Sequence, residues 1–236
     1  MISKYKQLTQ ELLIRKLSDF LTSRFARFKT PFQHVLLNLK AENLLPEEII
    51  ALELFGKSGQ YTVKDYIDLV SYLELYELDS FCLKNAKRYF PIAEAINADA
   101  IEVVRQGRLL RDDYNFVIID NPDIPLYCEN RYCEHFDLFP ALFNNLAREA
   151  VLIMNVVLST EEVIKKYPTL DYSEWLNRRA AFYGLDIDEV KKLTPLRLIS
   201  IYTKYFNEYG KVNYANVVLR RDTTIAFLVL GLEKKE

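Results

Sequence analysis

The feature that most constrains the fold is a short apolar run that leads directly into a loop containing two glycines. Residues 49–59 read IIALELFGKSG, in which the polar Glu53 lies near the end of the run and Gly56 and Gly59 follow it. A strand of a parallel sheet has this pattern, because both of its faces are covered. Glycines just past such a strand let the backbone turn tightly and approach a ligand. We therefore expect an α/β fold with a ligand crevice at the carboxyl end of this strand.

The segments that follow alternate between strand patterns and helix patterns. The predicted strands are 49–55, 72–77, 91–97, 114–120 and 150–158, and the predicted helices are 62–70, 79–89, 98–108 and 136–148. Residues 121–135 are predicted to form a loop. Strands that alternate with helices are joined by right-handed crossovers, so this order predicts a parallel sheet.

The two ends of the chain depart from this alternation. Apolar residues recur at helical spacing over 4–28, and Pro31 is predicted to end that helix, which gives an N-terminal helical extension at 1–47 and a main domain at 48–236. Residues 160–193 form a helical insertion, either a lid over the crevice or a packed helical layer. Strands at 211–220 and 224–232 are separated by only three residues, which predicts an antiparallel hairpin.

Composition and charge narrow the classes of function. The 236 residues are 50% hydrophobic with a formal net charge of −2, which fits one α/β domain and argues against general nucleic-acid binding. Three cysteines indicate reduced thiols, and no apolar run approaches the roughly 20 residues that span a bilayer. Residues 1–10 lack a secretory pattern. We therefore expect a cytoplasmic protein without membrane contact.

The first 40 residues carry an excess of positive charge, with eight Lys or Arg side chains. Such an excess is either the solvent face of an amphipathic helix or a surface that attracts a polyanion or an anionic substrate. If the N-terminal helix instead serves as a docking surface, we expect oligomer formation through the N-terminal helices.

The order of elements over residues 48–234, together with four short motifs, resembles the class I S-adenosylmethionine-dependent methyltransferases. Glu53, Phe55, Gly56 and Gly59 are similar to the family's first loop, which cradles the amino-acid part of the cofactor, although Lys57 stands where the family has its central glycine. The resemblance implies an α/β, Rossmann-like, seven-stranded and mostly parallel sheet. It also implies helices on both faces and a C-terminal antiparallel hairpin.

The other three motifs follow later strands. Glu77-Leu78 is similar to the acidic end of the family's second strand, whose carboxylate accepts hydrogen bonds from the ribose hydroxyls; Asp79 is the competing choice. Asp99-Ala100 is similar to the family's Gly-Asp-Ala segment, whose carboxylate faces the adenine amino group. Asp120 begins a segment, Asp120-Asn121-Pro122, at the position where the family keeps catalytic groups.

The resemblance implies methyl transfer from S-adenosylmethionine to a small-molecule or peptide acceptor. A hydroxyl or ammonium acceptor needs a base, for which Asp120 is the first choice and His135 the second, with Asp123 and Glu134 as further candidates. Because Cys128, Cys133 and His135 lack a fourth ligand nearby, we expect no metal.

Two other functions stay open at this point. One is a catalytically inactive methyltransferase-like scaffold that acts as a subunit or interaction module. The other is a nicotinamide enzyme, which the missing Gly-x-Gly-x-x-Gly fingerprint disfavours. Gly56-Lys57-Ser58 does not indicate a nucleotide phosphate loop, because Ala51 stands where that motif requires glycine.

Overall fold

The computed structural model describes residues 29–120, 136–220 and 224–235. The predicted helix at 4–28 and the predicted loop at 121–135 lie outside the described residues. The bases proposed at Asp123, Glu134 and His135 lie outside them as well.

A seven-stranded sheet forms the centre of the fold, with the strand order β3-β2-β1-β4-β5-β7-β6. The strands are β1 (Ile49–Leu54), β2 (Val70–Glu77), β3 (Glu94–Asn97), β4 (Tyr114–Ile119), β5 (Leu146–Val157), β6 (Gly210–Leu219) and β7 (Ile225–Lys234). The first five strands in this order pair in parallel, whereas β7 is antiparallel to both β5 and β6. The predicted mostly parallel sheet with a C-terminal antiparallel hairpin is confirmed.

Helices cover both faces of this sheet. They are α1 (Pro31–Ala41), α2 (Val63–Tyr66), α3 (Ser80–Tyr89), α4 (Ala100–Arg105), α5 (Phe139–Phe143), α6 (Thr160–Lys166), α7 (Ser173–Tyr183), α8 (Ile187–Lys191) and α9 (Pro195–Phe206). Side chains from α1, α2 and α3 share one apolar cluster with alternate residues of the strands, and side chains from α4 to α9 share the other. We call the first of these the α1–α3 face.

Pro31 begins α1, a helix that was not predicted from the sequence. It occupies the first turn of α1, and the Thr30 side chain accepts a hydrogen bond from the Gln33 backbone while the Gln33 side chain accepts one from the Thr30 backbone. This capping box satisfies backbone N–H groups that the start of a helix leaves without partners. Proline is favoured at that position, because its missing N–H needs no partner there.

The predicted helix at 136–148 is too long. A 3₁₀ turn (Phe136–Leu138) and α5 occupy its first part, and β5 has already begun at Leu146. Leu146 pairs with Tyr114 of β4, and Glu149 pairs with Glu233 of β7. Pairing on both sides fixes this segment as strand, and tertiary pairing of this kind overrides local helix propensity.

The helical insertion at 160–193 packs into the main core. Trp175 of α7 is fully buried within the apolar cluster that also holds Leu152 and Met154 of β5. Arg179, also fully buried, donates a hydrogen bond to the Val157 backbone oxygen at 2.9 Å. These contacts favour the packed layer over a separate lid. Among the described helices, none is both long and apolar enough to span a bilayer.

Candidate active site

A row of polar side chains crosses the sheet at the carboxyl ends of the parallel strands. Side chains alternate between the faces of a strand, and the buried residues Ala51, Leu75, Ile118 and Ile153 all belong to the α1–α3 face. Each of these four residues is followed, two positions later, by a polar residue that points to the same face. The residue that follows β6 points to this face as well. These polar residues form what we call the carboxyl-edge row: Glu77 (β2), Glu53 (β1), Asp120 (after β4), Asn155 (β5) and Arg220 (after β6).

Glu53 of this row is fully buried. Its carboxylate accepts hydrogen bonds from the Thr62 hydroxyl at 2.5 Å and from the Tyr66 hydroxyl. Burial, reinforced by the charge of Asp120, raises the pKa of Glu53 to about 8, although the two hydroxyl groups act in the opposite direction. Thr62 precedes α2 but makes no capping hydrogen bond, because its hydroxyl is engaged by Glu53.

Asp120 lies beside Glu53 and belongs to a hydrogen-bonded chain that reaches the C-terminal hairpin. Its backbone N–H donates to the Leu54 oxygen at 3.3 Å, and its Oδ1 accepts from the Asn155 amide. Nη1 of Arg220 donates to Asn155 Oδ1 at 2.9 Å and to Asp120 Oδ1 at 3.4 Å. Burial raises the pKa of Asp120, whereas Arg220, Asn155 and Lys57 act to lower it.

The loop after β1 holds three residues in the left-handed backbone region: Phe55 (φ 65°), Lys57 (φ 49°) and Gly59 (φ 74°). This conformation is unfavourable for the two residues that carry a Cβ, and such strain is concentrated at functional sites. A Cβ on Gly56 would lie 2.7 Å from Leu75 Cδ1, and one on Gly59 would lie 2.8 Å from Phe90 Cδ2. The two predicted glycines therefore also allow the loop to pack closely against the protein itself.

Glu77 and Leu78 lie at the carboxyl end of β2, one strand away from Glu53. Glu77 Oε1 accepts the Asp79 backbone N–H at 2.7 Å, and the Leu78 side chain is 68% exposed. Asp79, the competing choice for a ribose ligand, caps α3 by accepting hydrogen bonds from the Phe81 and Cys82 backbone. This role leaves Glu77 as the better placed of the two carboxylates.

Asp99 and Ala100 lie at the start of α4. Asp99 Oδ1 accepts the Ile101 backbone N–H at 2.9 Å and caps the helix, and Ala100 is buried. The Asn97 amide donates to the Glu77 and Leu78 backbone oxygens at 2.9 and 2.8 Å. This side chain therefore ties the end of β3, which leads to Asp99, to the end of β2.

The structure thus brings the predicted residues from β1, β2, β3 and β4 to one edge of the sheet. Sequence reasoning missed Asn155 and Arg220, which extend the row to β5 and β6. A detectable signal was the asparagine in the otherwise apolar run of β5, since a buried amide requires hydrogen-bond partners.

Comparisons with known proteins identify the fold. The chain is similar to the CurJ carbon methyltransferase, with a TM-score of 0.58 and 11% identity over 87% of this chain and 54% of that chain, so it spans about half of CurJ. It is also similar to the plantazolicin methyltransferase BpumL in complex with a triazolic desmethylPZN analog and SAH. That match has a TM-score of 0.55 and 11% identity over 94% of this chain and 91% of that chain.

A third similar structure is the plantazolicin methyltransferase BamL, with a TM-score of 0.51 and 13% identity over 87% of this chain and 82% of that chain. The chain therefore has the class I methyltransferase fold. No protein-family model and no curated protein matches its sequence.

The residues of this edge fit the adenosine half of S-adenosylmethionine better than the methionine half. Glu77 Oε2 contacts no donor among the described residues, so it is available for a ribose hydroxyl, and the exposed Leu78 side chain offers an apolar surface next to it. At the methionine end, the cationic Lys57 replaces a glycine. Its ammonium group can pair with the carboxylate of the cofactor but repels the cofactor's own ammonium group.

Proposed function

We propose that this protein transfers a methyl group from S-adenosylmethionine to a small-molecule or peptide acceptor. The carboxyl-edge row carries this proposal, because it gathers carboxylates from neighbouring parallel strands at the edge where open α/β sheets bind ligands. The ligands of similar structures support it, since BpumL and BamL were each crystallised with SAH and a desmethylPZN analog.

Each predicted site residue has a role that follows from its place at the carboxyl edge of the sheet. Glu77 accepts hydrogen bonds from the ribose hydroxyls, and Leu78 packs against the adenine, with Asp99 and Ala100 at its edge. Glu53, Phe55, Gly56 and Gly59 shape the loop that receives the methionine end; because Glu53 is fully buried, it positions the loop from beneath. The cofactor supplies an electrophilic methyl group, so the protein mainly holds the acceptor in line with it.

Asp120 is the base that we propose for removing the acceptor's proton. Burial raises its pKa above that of an ordinary aspartate, which makes the carboxylate a stronger proton acceptor near neutral pH. His135 remains the second candidate.

The alternative function is a catalytically inactive scaffold of the same fold. Lys57 is the observation that favours it, because its side chain replaces a glycine and its backbone takes a left-handed conformation in the loop that would receive the methionine. A scaffold that has lost the cofactor would bind neither S-adenosylmethionine nor SAH.

Isothermal titration calorimetry of the full chain with S-adenosylmethionine and with SAH separates the two functions. We expect binding, and we expect Glu77→Ala to weaken it at least about tenfold, the loss typical of a hydrogen bond to a charged group. Glu149→Ala is the matched control, because Glu149 is an exposed carboxylate near the amino end of β5. It should leave the affinity unchanged.

One result would contradict the proposed function, and another would contradict only the role of Glu77. If the folded wild-type protein binds neither ligand at millimolar concentration, the enzymatic function is wrong and the scaffold is supported. If the wild-type protein binds SAH but Glu77→Ala binds it equally well, the assignment of the ribose ligand is wrong while the function stands.

A further inference from the structure

Arg220 holds its guanidinium group at the carboxyl edge in a fixed orientation. Among the described residues, the Arg220 guanidinium donates two hydrogen bonds, both from Nη1, to Asn155 and to Asp120, and the guanidinium carbon lies 5.0 Å from the centre of the Phe227 ring. A guanidinium stacked on an aromatic ring and bonded along one edge has little freedom to turn. Arg220 is thus preorganised before any ligand arrives.

The opposite edge of the same guanidinium is available for a ligand. The Arg220 side chain is 26% exposed, and within residues 29–120, 136–220 and 224–235 no acceptor contacts Nε or Nη2. These two nitrogens form one of the parallel pairs of N–H donors with which arginine binds a carboxylate in bidentate fashion. The unused edge therefore has the geometry to recognise a planar anion.

The charges around this edge also favour an anion. Arg220 and Lys57 both act electrostatically on Asp120, so two cations lie close to one carboxylate. Glu53, the other carboxylate of this part of the row, is held mostly protonated near neutral pH because its pKa is about 8. The local charge is therefore positive on balance.

The position of Arg220 points to the acceptor rather than to the cofactor. The residues proposed to hold the cofactor lie at the carboxyl ends of β1 and β2 and in the segments that follow β1, β2 and β3, whereas Arg220 follows β6, at the other end of the strand order. Asp120, the proposed base, lies between the two groups and is bonded to Arg220.

We propose that the methyl acceptor carries a carboxylate group and that the Nε–Nη2 edge of Arg220 binds it. This inference rests on the proposed function, because it assigns the bound carboxylate to the methyl acceptor. A carboxylate bound there would weaken the hold of Arg220 on the ionised form of Asp120. The acceptor would thereby raise the pKa of its own base.

Benzoate and its neutral analogue benzamide are the probes that test this site. Their binding to the full chain is followed by chemical-shift changes in amide NMR spectra, with and without saturating SAH. We expect benzoate to bind at least about tenfold more tightly than benzamide, and Arg220→Gln to lose at least about tenfold in benzoate affinity, as for other charge-assisted pairs. Arg220→Lys should restore only part of it, because an ammonium group lacks the planar fork.

Arg148→Gln is the matched control, since it removes the same charge from an exposed residue near the amino end of β5, at the opposite edge of the sheet. It should bind benzoate as the wild-type protein does. Circular dichroism melting establishes that each variant is folded. If Arg220→Gln does not fold, Arg220→Lys, which keeps a cation over Phe227, takes its place.

Three outcomes decide the matter. If wild-type protein does not bind benzoate at tens of millimolar, or if Arg220→Gln binds it equally well, there is no carboxylate site at Arg220. If Arg220→Gln loses SAH affinity as strongly as benzoate affinity, the carboxylate belongs to the cofactor and the acceptor assignment is wrong. If benzoate binding depends on Arg220 but SAH does not bind at all, the site stands and the proposed function fails.

Discussion

The buried carboxyl of Glu53 makes the stability of the protein depend on pH in a direction that can be predicted. Burial, followed by the charge of Asp120, raises the pKa of Glu53 from 4.5 to about 8 in the folded state. In the unfolded state the group returns to its ordinary value. Between these two values the folded state holds a proton that the unfolded state releases, so the free energy of unfolding decreases as pH rises. This contribution to stability is complete below about pH 4.5 and is lost as pH rises through about 8.

The size of the effect follows from the same two pKa values. One pKa unit corresponds to about 1.4 kcal/mol, so Glu53 should lower the free energy of unfolding by about 1.4 kcal/mol for each pH unit in the middle of this range. Over the whole range the loss is roughly 5 kcal/mol. Glu53→Gln removes the titrating proton and should therefore flatten this dependence. Asp120, whose pKa is also raised by burial, leaves a residual slope of the same sign in the variant.

Urea unfolding of the wild-type protein and of Glu53→Gln, measured at several pH values between about 5.5 and 7.5, tests this prediction. The difference between the two slopes isolates Glu53, because groups that titrate in both proteins cancel. Glu149→Gln, which changes an exposed carboxylate, should keep the wild-type slope. The reasoning is refuted if the wild-type protein and Glu53→Gln show the same slope, or if the wild-type protein becomes more stable than the variant as pH rises.

Two further predictions concern the backbone of the first loop. The free energy of unfolding of Lys57→Gly should exceed that of Lys57→Ala by about 1 kcal/mol, because both variants remove the charge but only glycine adopts φ 49° without strain. Lys57→Gly should therefore unfold at a higher urea concentration, and equal midpoints would contradict this. Gly59→Ala should destabilise the protein by about 2 to 4 kcal/mol, since its Cβ would overlap the Phe90 ring at a φ of 74°. Gly107→Ala, at φ 62° with nothing within 4 Å, should lose only about 1 kcal/mol, and an equal loss in both variants would show that packing against Phe90 is unimportant.

The part of the site formed by residues next to strand ends was predictable from the sequence. Parallel strands that are buried on both faces end at the same edge of the sheet. Carboxylates at the carboxyl ends of different strands are therefore expected to lie at that one edge. Glu77 and Asp120 were predicted in this way. The strand register pairs Leu54 with Tyr76 and with Ile119, so both residues lie level with the end of β1.

The rest of the site could not be predicted, because it depends on strand pairing between distant segments, which local sequence patterns do not encode. Arg220 lies 100 positions from Asp120 in the chain, and the two meet only because β7 inserts between β5 and β6. Glu74 illustrates a second limit, since in VSYLELYE it has the pattern of a solvent-facing strand residue. The structure buries it, and the hydroxyl groups of Tyr72, Tyr76 and Tyr114 bind its carboxylate. Sequence spacing alone does not show that a tyrosine 40 positions away will donate a hydrogen bond to a buried glutamate side chain.

If the proposed function is correct, Lys57 affects how the charges of S-adenosylmethionine meet those of the site. S-adenosylmethionine brings an ammonium, a sulfonium and a carboxylate, whereas the site next to the first loop offers Lys57 of that loop, a mostly protonated Glu53 and the carboxylate of Asp120. With Glu53 neutral, Asp120 is the carboxylate beside Glu53 that can attract the cations of the proposed cofactor, and Lys57 can pair with that cofactor's carboxylate. On this argument, binding of the cofactor strengthens as pH rises and Glu53 ionises, while the folded state itself becomes less stable. Opposite trends of affinity and stability with pH, both reduced in Glu53→Gln, would therefore distinguish a working methyltransferase loop from a scaffold in which the same residues only pack.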